Sequence, residues 1–333
     1  MAISLIIIIV YTIREIGENI KNSCNFNGDV FFDESLKNRT TMRVGGNAAL
    51  LLEPFDRASL IFVLRILHSA NCEKIYVIGG GSNIIAPDNE LHFPVISLKK
   101  IKSTIELNES VAENGEAQLL LKCSCGTSWG EIFTYCIEHK IGGLLTFTGL
   151  PGTVGGACFM NASCFGCAIS DVLESAEYVS DNGETKIYSM SVEGSAEKND
   201  EWGYKKSPFQ TAAKNGEKRI VTSAVFKVFK TADDVRSVGL SYLEKRKEKG
   251  HYKKPSAGSV FRNPEGEIAG KLIDECGLKG FCIGGAKIAD WHANIIINEN
   301  NASQAEIKEL VDYIVNRVNG KKSIKLIPEI IFW

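Results

Sequence analysis

Ser259 is the residue whose type and surroundings most favour chemistry. It lies in the segment Pro255-Ser-Ala-Gly-Ser-Val-Phe-Arg-Asn-Pro264, directly after Gly258 and between two prolines. Glycine lets a backbone approach a ligand closely, and proline restricts the chain on either side. The pattern predicts a turn that presents the serine hydroxyl. For an isolated motif of this kind, an ordinary connection between a helix and a strand is the better interpretation, so other segments must decide.

Two glycine-rich loops have the composition of phosphate-binding loops. The first is Gly79-Gly80-Gly81-Ser82-Asn83, whose glycines permit the backbone angles that turn successive N–H groups toward an anion. It matches neither a Walker A loop nor a G-x-G-x-x-G loop that opens a long helix. The second is Pro151-Gly152-Thr153-Val154-Gly155-Gly156, which leads into a short predicted helix whose N-terminus favours a pyrophosphate. Two such loops in one chain predict a dinucleotide ligand.

The elements that must position these motifs predict an α+β protein of several domains. At 333 residues the chain is too long for one compact core. Apolar and helical patterns in its first part predict an α/β layer: a strand over 48–52, a helix over 59–70, and strands over 74–78 and 94–98.

Short strands dominate the region from about residue 100 to 230. They are predicted over 117–123, 173–180, 185–189 and 219–229, with Asp181-Asn182-Gly183 as a hairpin turn.

The last hundred residues predict a separate α+β substrate domain. Its predicted elements are a helix over 233–249, a helix from Glu267 ended by Gly277, a strand over 293–298, a helix from Ser303 with a capping box at Glu306 and Gly320 beyond its end, and a closing strand over 324–333.

Composition excludes several classes of protein. The formal net charge of −2 and a pI near 6.3 give no electrostatic footprint for nucleic acid. The ten cysteines are scattered, without a small secreted framework, and so favour reduced thiols in a cytoplasm. The apolar run over residues 3–10 is shorter than the ~20 residues of a membrane span and lacks the features of a signal peptide. We interpret it as the start of a helix or a dispensable extension, with weak membrane association as the alternative.

Cysteine spacing predicts no metal site. Cys164-x-x-Cys167 and Cys123-x-Cys125 lack histidines at the spacing of a zinc site. We interpret these cysteines as small packing residues.

In their order, the motifs of this chain resemble those of the UDP-N-acetylenolpyruvoylglucosamine reductase family from about Lys37 onward. No extended tyrosine-bearing insert follows Phe229, which resembles the shorter of the family's two architectures. The motifs that carry the resemblance are Thr40-Thr-Met-Arg-Val-Gly-Gly46, the two glycine-rich loops with Asn161, Tyr204 with Ser207, the segment around Ser259, Ala269-Gly-Lys-Leu-Ile273, Leu278-Lys-Gly280, Ile283-Gly-Gly-Ala286 and Pro328-Glu329.

The resemblance implies a three-domain flavoenzyme with an FAD-binding fold of the vanillyl-alcohol-oxidase type and a C-terminal α+β substrate domain. The expected divisions are residues 1–100 and 101–230 for non-covalently bound FAD, 231–322 for the substrate, and a C-terminal strand over 323–333. The implied reaction is the NADPH-dependent reduction of UDP-N-acetylglucosamine enolpyruvate to UDP-N-acetylmuramate for peptidoglycan synthesis. We expect a cytoplasmic monomer with no nucleic-acid partner and no stable membrane insertion.

The resemblance also implies roles for individual residues. NADPH reduces the flavin, which passes a hydride to C3 of the enolpyruvyl group, and Ser259 then donates the proton needed at C2. Glu329 and a cation polarise the substrate carboxylate, and by motif position that cation is Lys205. The implied cofactor contacts are Arg43, Gly79, Gly80, Gly81, Ser82, Asn83, Pro151, Gly152, Thr153, Gly155, Gly156 and Asn161; the implied substrate contacts are Tyr204, Arg262, Asn263 and His292.

Two positions depart from the family's pattern. Lys205 stands where the family has an arginine, and Ala168 stands where it usually has a glutamate. Lysine is a point charge, whereas arginine offers a planar fork to a carboxylate. Lys206 and Arg262 are the alternative sources of charge.

Basic residues just before the serine segment leave two interpretations open. The cations at positions 245, 246, 247 and 249 are interpreted as a solvated helix face. Alternatively, one or two basic residues bind the diphosphate of the substrate, with Lys253 and Lys254 favoured. Two other functions also remain, an oxidase or dehydrogenase of the same fold and a non-catalytic binding protein.

Overall fold

The computed structural model describes residues 12–72, 74–101, 104–111, 117–190 and 202–333. The apolar run over residues 3–10, which we interpreted as the start of a helix or an extension, lies outside these ranges. None of the helices in the described ranges combines the length and apolar character that a segment needs to cross a bilayer.

The first region is a four-stranded sheet covered by two helices. Its strands lie in the order β1-β2-β5-β3, with β1 antiparallel to β2 and with β5 parallel to both β2 and β3. The elements are α1 (Ile13–Lys21), β1 (Gly28–Ser35), β2 (Asn47–Pro54), α2 (Arg57–Ser69), β3 (Tyr76–Ile78), β4 (Ile84–Ile85) and β5 (Val95–Ser97). Asp56 caps α2, because its carboxylate accepts a hydrogen bond from the Ser59 amide.

The second region is a larger antiparallel sheet in the order β12-β11-β13-β7-β6, with β8 paired to β13. Its core contains the fully buried rings of Trp129, Phe147 and Phe226. The elements are β6 (Ile105–Val111), β7 (Ala117–Ser124), α3 (Trp129–His139), β8 (Ile141–Gly142), α4 (Val154–Met160), β9 (Ser163–Cys164), β10 (Cys167–Ala168), α5 (Ile169–Val172), β11 (Leu173–Ser180), β12 (Thr185–Ser189), α6 (Pro208–Lys214) and β13 (Arg219–Lys230).

The third region has a small antiparallel sheet in the order β14-β17-β16-β15, whereas its first helix packs against Phe133 of the second region. Its core includes Phe261, Ile296 and Ile314, each at most 1% exposed. The elements are α7 (Val235–Glu248), β14 (Ser256–Ser259), α8 (Ala269–Glu275), β15 (Cys282–Ile283), β16 (Ala286–Ile288), β17 (Ile295–Asn298), α9 (Gln304–Lys322) and β18 (Ile331–Phe332). The last strand returns to the first region, where β18 pairs in parallel with β4.

Most predicted elements are confirmed within a few residues, and three details are wrong. Gly320 lies inside α9, which continues to Lys322 and ends at Ser323 in the left-handed conformation. The closing strand is only Ile331–Phe332, because the chain before it is irregular. Ser259 is the last residue of β14 and not part of a turn, although a register irregularity between Ser256 and Ser259 interrupts the pairing with β17.

Candidate active site

A cavity of about 830 Å³ brings the two glycine-rich loops together with Lys205, Ser259 and Glu329. The first loop contributes all five of its residues to the lining, and the second contributes most of its own. The cavity therefore joins segments from all three regions of the fold.

The first glycine-rich loop connects β3 to β4 with its amides unused. None of the amides of residues 79–83 donates a hydrogen bond to a described residue. Gly81 has φ +64°, a conformation that glycine adopts without strain, and its carbonyl accepts a hydrogen bond of 3.0 Å from the Thr41 amide. The loop is thus anchored through its backbone carbonyl groups, and its N–H groups remain available to a ligand.

The two loops touch at a point where only glycines fit. A Cβ on Gly80 would lie 2.6 Å from the Cα of Gly152. The Ser82 hydroxyl donates a hydrogen bond of 3.1 Å to the Pro151 carbonyl, which ties the loops together. The contact makes one continuous wall from two distant segments of the sequence.

The second loop is anchored to the end of β7. The amides of Val154 and Gly155 donate hydrogen bonds to the carbonyls of Thr127 and Cys125, at 3.0 and 2.9 Å. The Thr153 hydroxyl lies buried in the wall without a hydrogen-bond partner among the described residues. An unpaired buried hydroxyl costs free energy unless a ligand satisfies it.

These features fit a flavin dinucleotide. The unused amides and the Thr153 hydroxyl suit the oxygens of a diphosphate, since N–H-rich loops bind anions. Apolar side chains of Val77, Leu98 and Ile220 line the same cavity and suit the rings. The cavity volume falls within the range of cofactor sites.

Lys205 and Glu329 form an ion pair in the cavity wall. The Nζ of Lys205 lies 2.8 Å from Oε1 of Glu329, and each side chain is only 12% exposed. Lys205 has φ +57°, a strained conformation for a residue other than glycine. Hydrogen bonds of 3.2 and 3.0 Å between Gly203 and Lys206 close the turn around it.

Asn161 fixes this turn from the opposite side. Its Nδ2 donates a hydrogen bond of 2.9 Å to the Gly203 carbonyl, and its Oδ1 accepts one of 3.0 Å from the Ser170 amide. Asn161 is 1% exposed and does not line the cavity. The structure therefore places it behind the Lys205 turn, while its predicted contact with the cofactor stays a prediction.

The backbone of Glu329 joins the serine strand to the first glycine-rich loop. Its amide donates to the Val260 carbonyl at 2.7 Å, and its carbonyl accepts from Asn83 Nδ2 at 3.1 Å. The Asn83 carbonyl accepts a further hydrogen bond of 2.9 Å from the Ile331 amide. Glu329 is held at a fixed position even though it lies outside a regular strand.

Ser259 lines the cavity at the end of β14, and its hydroxyl makes no hydrogen bond with another described residue. The chain just after it is clamped by Asn294, whose side chain exchanges hydrogen bonds of 2.9 and 2.8 Å with the backbone of Phe261. Asn294 is 6% exposed and also lines the cavity. Asn294 was not among the predicted site residues, although a polar residue at the start of an apolar strand is an available signal.

The predicted substrate contacts divide into two groups. Tyr204 and Asn263 line the cavity, and the Asn263 amide donates a hydrogen bond of 3.4 Å to the Tyr204 hydroxyl. Arg262, His292 and the predicted cofactor contact Arg43 do not line it. The roles of these residues stay predictions.

Three basic residues lie at one end of the cavity wall, and the sequence analysis left two of them open as alternative diphosphate contacts. Arg246, Lys249 and His251 line the wall, and Arg246 is only 5% exposed. The interpretation of residue 246 as part of a solvated face is wrong, because it shares the buried face of α7 with Val235 and Gly239. Their spacing of four and seven residues, which returns to one helix face, was the available signal.

Arg246 is fixed by backbone carbonyls. Its Nε donates to the Thr148 carbonyl at 2.9 Å, and its Nη2 donates to the Thr146 carbonyl at 3.0 Å. Burial, together with the positive charges of His292, Arg246 and Lys249, lowers the pKa of His251 to about 4. His251 is therefore neutral at pH 7, and the positive charge at this end comes from Arg246 and Lys249.

Lys253 and Lys254 are exposed and lie outside the cavity wall. The Nζ of Lys253 lies 5.0 Å from the ring centre of Trp291, and that of Lys254 lies 3.6 Å from Glu299 Oε2. Within the described ranges, no group of three or more His, Cys, Asp or Glu side chains is placed to hold a metal ion.

Comparisons with known proteins agree along nearly the whole chain. The profile of the UDP-N-acetylenolpyruvoylglucosamine reductase C-terminal domain matches residues 250–333, and that of an FAD binding domain matches residues 48–189. A UDP-N-acetylenolpyruvoylglucosamine reductase of Treponema denticola is 38% identical over 315 residues, covering 92% of this chain and 94% of the relative. The corresponding reductase of Borreliella burgdorferi is 33% identical, covering 90% of this chain and 93% of the relative.

A solved structure supports the same assignment of the fold. The crystal structure of a UDP-N-acetylenolpyruvylglucosamine reductase from Thermus caldophilus superposes with a TM-score of 0.68 at 28% identity. The superposition covers 92% of this chain and 99% of that one. The fold is an FAD-binding fold of the vanillyl-alcohol-oxidase type with an additional C-terminal domain.

Gly80→Ala should weaken FAD binding about tenfold or more, because the new methyl group would push the two loops apart. The measurement is the flavin absorbance per protein after dialysis against graded FAD concentrations. Gly130→Ala is the matched control, since a Cβ there meets nothing closer than Ser128 Oγ at 3.9 Å. If Gly80→Ala binds FAD as tightly as the parent, the loop contact does not shape the cofactor site.

Proposed function

The chain belongs to the UDP-N-acetylenolpyruvoylglucosamine reductase family, and we propose how its cavity performs the family's reaction. The protein is an FAD-dependent oxidoreductase that uses NADPH to reduce the enolpyruvyl group of UDP-N-acetylglucosamine enolpyruvate to UDP-N-acetylmuramate, a peptidoglycan precursor. The observation that carries the mechanism is the Lys205–Glu329 ion pair, which shares one cavity with Ser259 and both glycine-rich loops.

The two glycine-rich loops hold FAD without a covalent bond. FAD supplies hydride transfer from NADPH to the enolpyruvyl group. The amides of residues 79–83 and the hydroxyl of Thr153 bind the diphosphate of the cofactor. Gly80 and Gly152 let the two loops close on it.

Lys205 binds the carboxylate that is conjugated with the substrate's double bond. In the ion pair with Glu329, its ammonium group is held at the cavity wall with further N–H donors to spare. A positive charge at the carboxylate stabilises the negative charge that develops as a hydride reaches C3. Glu329 orients the ammonium group of Lys205 through the ion pair.

Ser259 donates the proton that completes the reduction at C2. Its hydroxyl lines the cavity and is not engaged by any described residue, so it is available to the substrate. The Asn294 clamp and the backbone of Glu329 hold the strand that carries it.

The substrate's diphosphate lies at the end of the cavity formed by Arg246 and Lys249. Both side chains line the wall, whereas Lys253 and Lys254 do not. A buried guanidinium held by two carbonyls binds a phosphate oxygen with little loss of side-chain entropy. Tyr204 and Asn263 contact the sugar nucleotide near the cavity mouth.

The protein acts as a cytoplasmic monomer with residues 1–100 and 101–230 as the FAD-binding domains, 231–322 as the substrate domain and 323–333 as the returning strand. Three large apolar cores, each centred on one region, support this division, although each also includes residues of a neighbouring region. Ten free thiols suit a reducing compartment.

Acid precipitation should release the flavin to the supernatant, because the proposed contacts are hydrogen bonds and packing only. The measurement is the flavin absorbance of supernatant and pellet. Flavin that remains in the pellet would show a covalent link.

Ser259→Ala should slow reoxidation of the reduced flavin by the enolpyruvyl substrate by about 10²–10⁴-fold. Reduction of the flavin by NADPH should remain almost unchanged, because only the second half-reaction needs the proton. Rapid-mixing absorbance separates the two halves, and Ser259→Cys, which keeps a proton donor, should recover part of the rate. Equal slowing of both halves would make Ser259 a structural residue.

Lys205→Ala should lower turnover by roughly 10²–10³-fold with little loss of FAD, because the carboxylate loses its cation. Lys205→Arg should preserve or raise turnover. The measurement is enolpyruvyl-dependent NADPH oxidation, with Lys206→Ala as the control at the neighbouring exposed position. If Lys205→Ala matches the parent, Lys206 or Arg262 supplies the charge.

If the parent binds the flavin and the sugar nucleotide but oxidises no NADPH, the protein is a binding protein.

A further inference from the structure

Cys164 and Cys167 face each other across a hairpin in the cavity wall. Strands β9 and β10 pair them directly, and the two residues between them, Phe165 and Gly166, have φ of +52° and +81°. Directly opposite residues of antiparallel strands have Cα atoms about 4.5–5.5 Å apart, which lies within the range that a disulfide spans. Both thiols are free.

The hairpin reaches both the solvent and the cavity. Gly166 at its tip is exposed, and nothing lies within 4 Å of the place where its Cβ would be. Cys164 and Phe165 line the cavity, whereas Cys167 does not. A small oxidant therefore has a path to the pair from the solvent side.

The sulfur of Cys164 contacts the cation group of the cavity. Nη2 of Arg246 donates a hydrogen bond to Cys164 Sγ at 3.0 Å, and the Cys164 thiol donates to the Thr146 carbonyl at 3.4 Å. The Phe165 ring lies 5.0 Å from the Arg246 guanidinium. Burial raises the pKa of the Cys164 thiol, and the charges of Arg246 and Lys205 oppose that effect.

We propose that Cys164 and Cys167 are a redox modification site that forms a reversible disulfide on exposure to peroxide and thereby weakens binding at the Arg246 end of the cavity. The Cys164 sulfur attacks one peroxide oxygen, the O–O bond breaks, and a sulfenic acid and one water form. The Cys167 sulfur then attacks the Cys164 sulfur. The S–S bond forms as the S–O bond breaks, and the second water leaves with the remaining thiol proton.

The disulfide changes the surroundings of Arg246. Closing the bond draws the Cys164 sulfur toward Cys167, so Nη2 of Arg246 keeps only the Thr146 carbonyl as an acceptor. The Phe165 ring on the guanidinium moves with the hairpin. We expect the KM for the sugar nucleotide to rise roughly three- to tenfold, as for the net loss of one ordinary hydrogen bond.

The other cysteines are poorer sites for this chemistry. Cys123, Cys125, Cys136, Cys158 and Cys276 are buried, and burial raises the pKa of Cys125 and Cys158 to about 12. Cys72 is partly buried, and burial raises its pKa as well. Cys24 and Cys282 are exposed and belong to different regions of the fold. None of these is paired with another cysteine across a hairpin.

Differential alkylation of the FAD-loaded protein after peroxide treatment tests the site. Trypsin cuts after Lys140 and Lys186 but nowhere between them, so one fragment contains Cys158, Cys164 and Cys167. We expect this fragment to lose the mass of two hydrogens and to resist alkylation at Cys164 and Cys167 until dithiothreitol is added. If both are alkylated in full while Cys24 and Cys282 are oxidised, the proposal fails.

Cys167→Ser is the matched control, because it removes the second sulfur and leaves the contact between Cys164 and Arg246. Its KM before oxidation should equal that of the parent, and peroxide should not produce the reversible rise. The same rise in Cys167→Ser, or an unchanged KM in the oxidised parent, would refute control of the cavity by the disulfide.

The KM measurement rests on the proposed function, but the mass measurement does not. Failure of the proposed function would appear as untreated protein that shows no enolpyruvyl-dependent NADPH oxidation. Failure of the disulfide would appear in the fragment mass alone.

Discussion

The site depends on the return of the chain's last residues to the first region of the fold. The backbone of Glu329 bonds to Val260 on one side and to Asn83 on the other, while its side chain pairs with Lys205. Three regions thus meet at one residue. Because the strand pairing after it extends over only Ile331–Phe332, the position of Glu329 is determined by these few contacts and not by a long ladder.

Anion binding in this protein is a local property. The whole chain carries a formal charge of −2, yet the cavity gathers Lys205, Arg246 and Lys249 together with the unused amides of the first glycine-rich loop. The neutral form of His251 avoids a further buried charge among these cations. Because the pKa of His251 is lower in the folded protein than in the unfolded chain, the unfolded chain takes up the proton first as the pH falls. Acidification from about pH 6.5 to pH 4 therefore lowers the free energy of unfolding.

The sequence predicted what local chemistry determines. Ser303 and Glu306 form the predicted capping box, and β11 and β12 have the predicted bounds, because caps and strand patterns depend on neighbouring residues. The end of α9 was misplaced, since the helix continues past Gly320 to Lys321 and Lys322, which contact the Cys276 carbonyl and the Glu275 carboxylate. The burial of Arg246 and Asn294 was not predicted, because it depends on partners far away in the chain, namely Thr148 and Phe261. The loops were found as motifs, but their contact at Gly80 and Gly152 exists only in three dimensions.

The presence of lysine and not arginine at position 205 affects the ion pair with Glu329. In a nearly buried pair, neither charge is well hydrated, and removing one partner leaves the other uncompensated. An arginine could offer one edge of its fork to Glu329 and another to a substrate carboxylate, whereas in the proposed complex the ammonium group of Lys205 would place both carboxylates around a single nitrogen. The two negative groups would then lie closer together and repel more strongly. The left-handed turn held by Asn161 fixes the backbone from which Lys205 reaches Glu329, so the turn geometry limits how far the ammonium group can move toward the proposed substrate carboxylate.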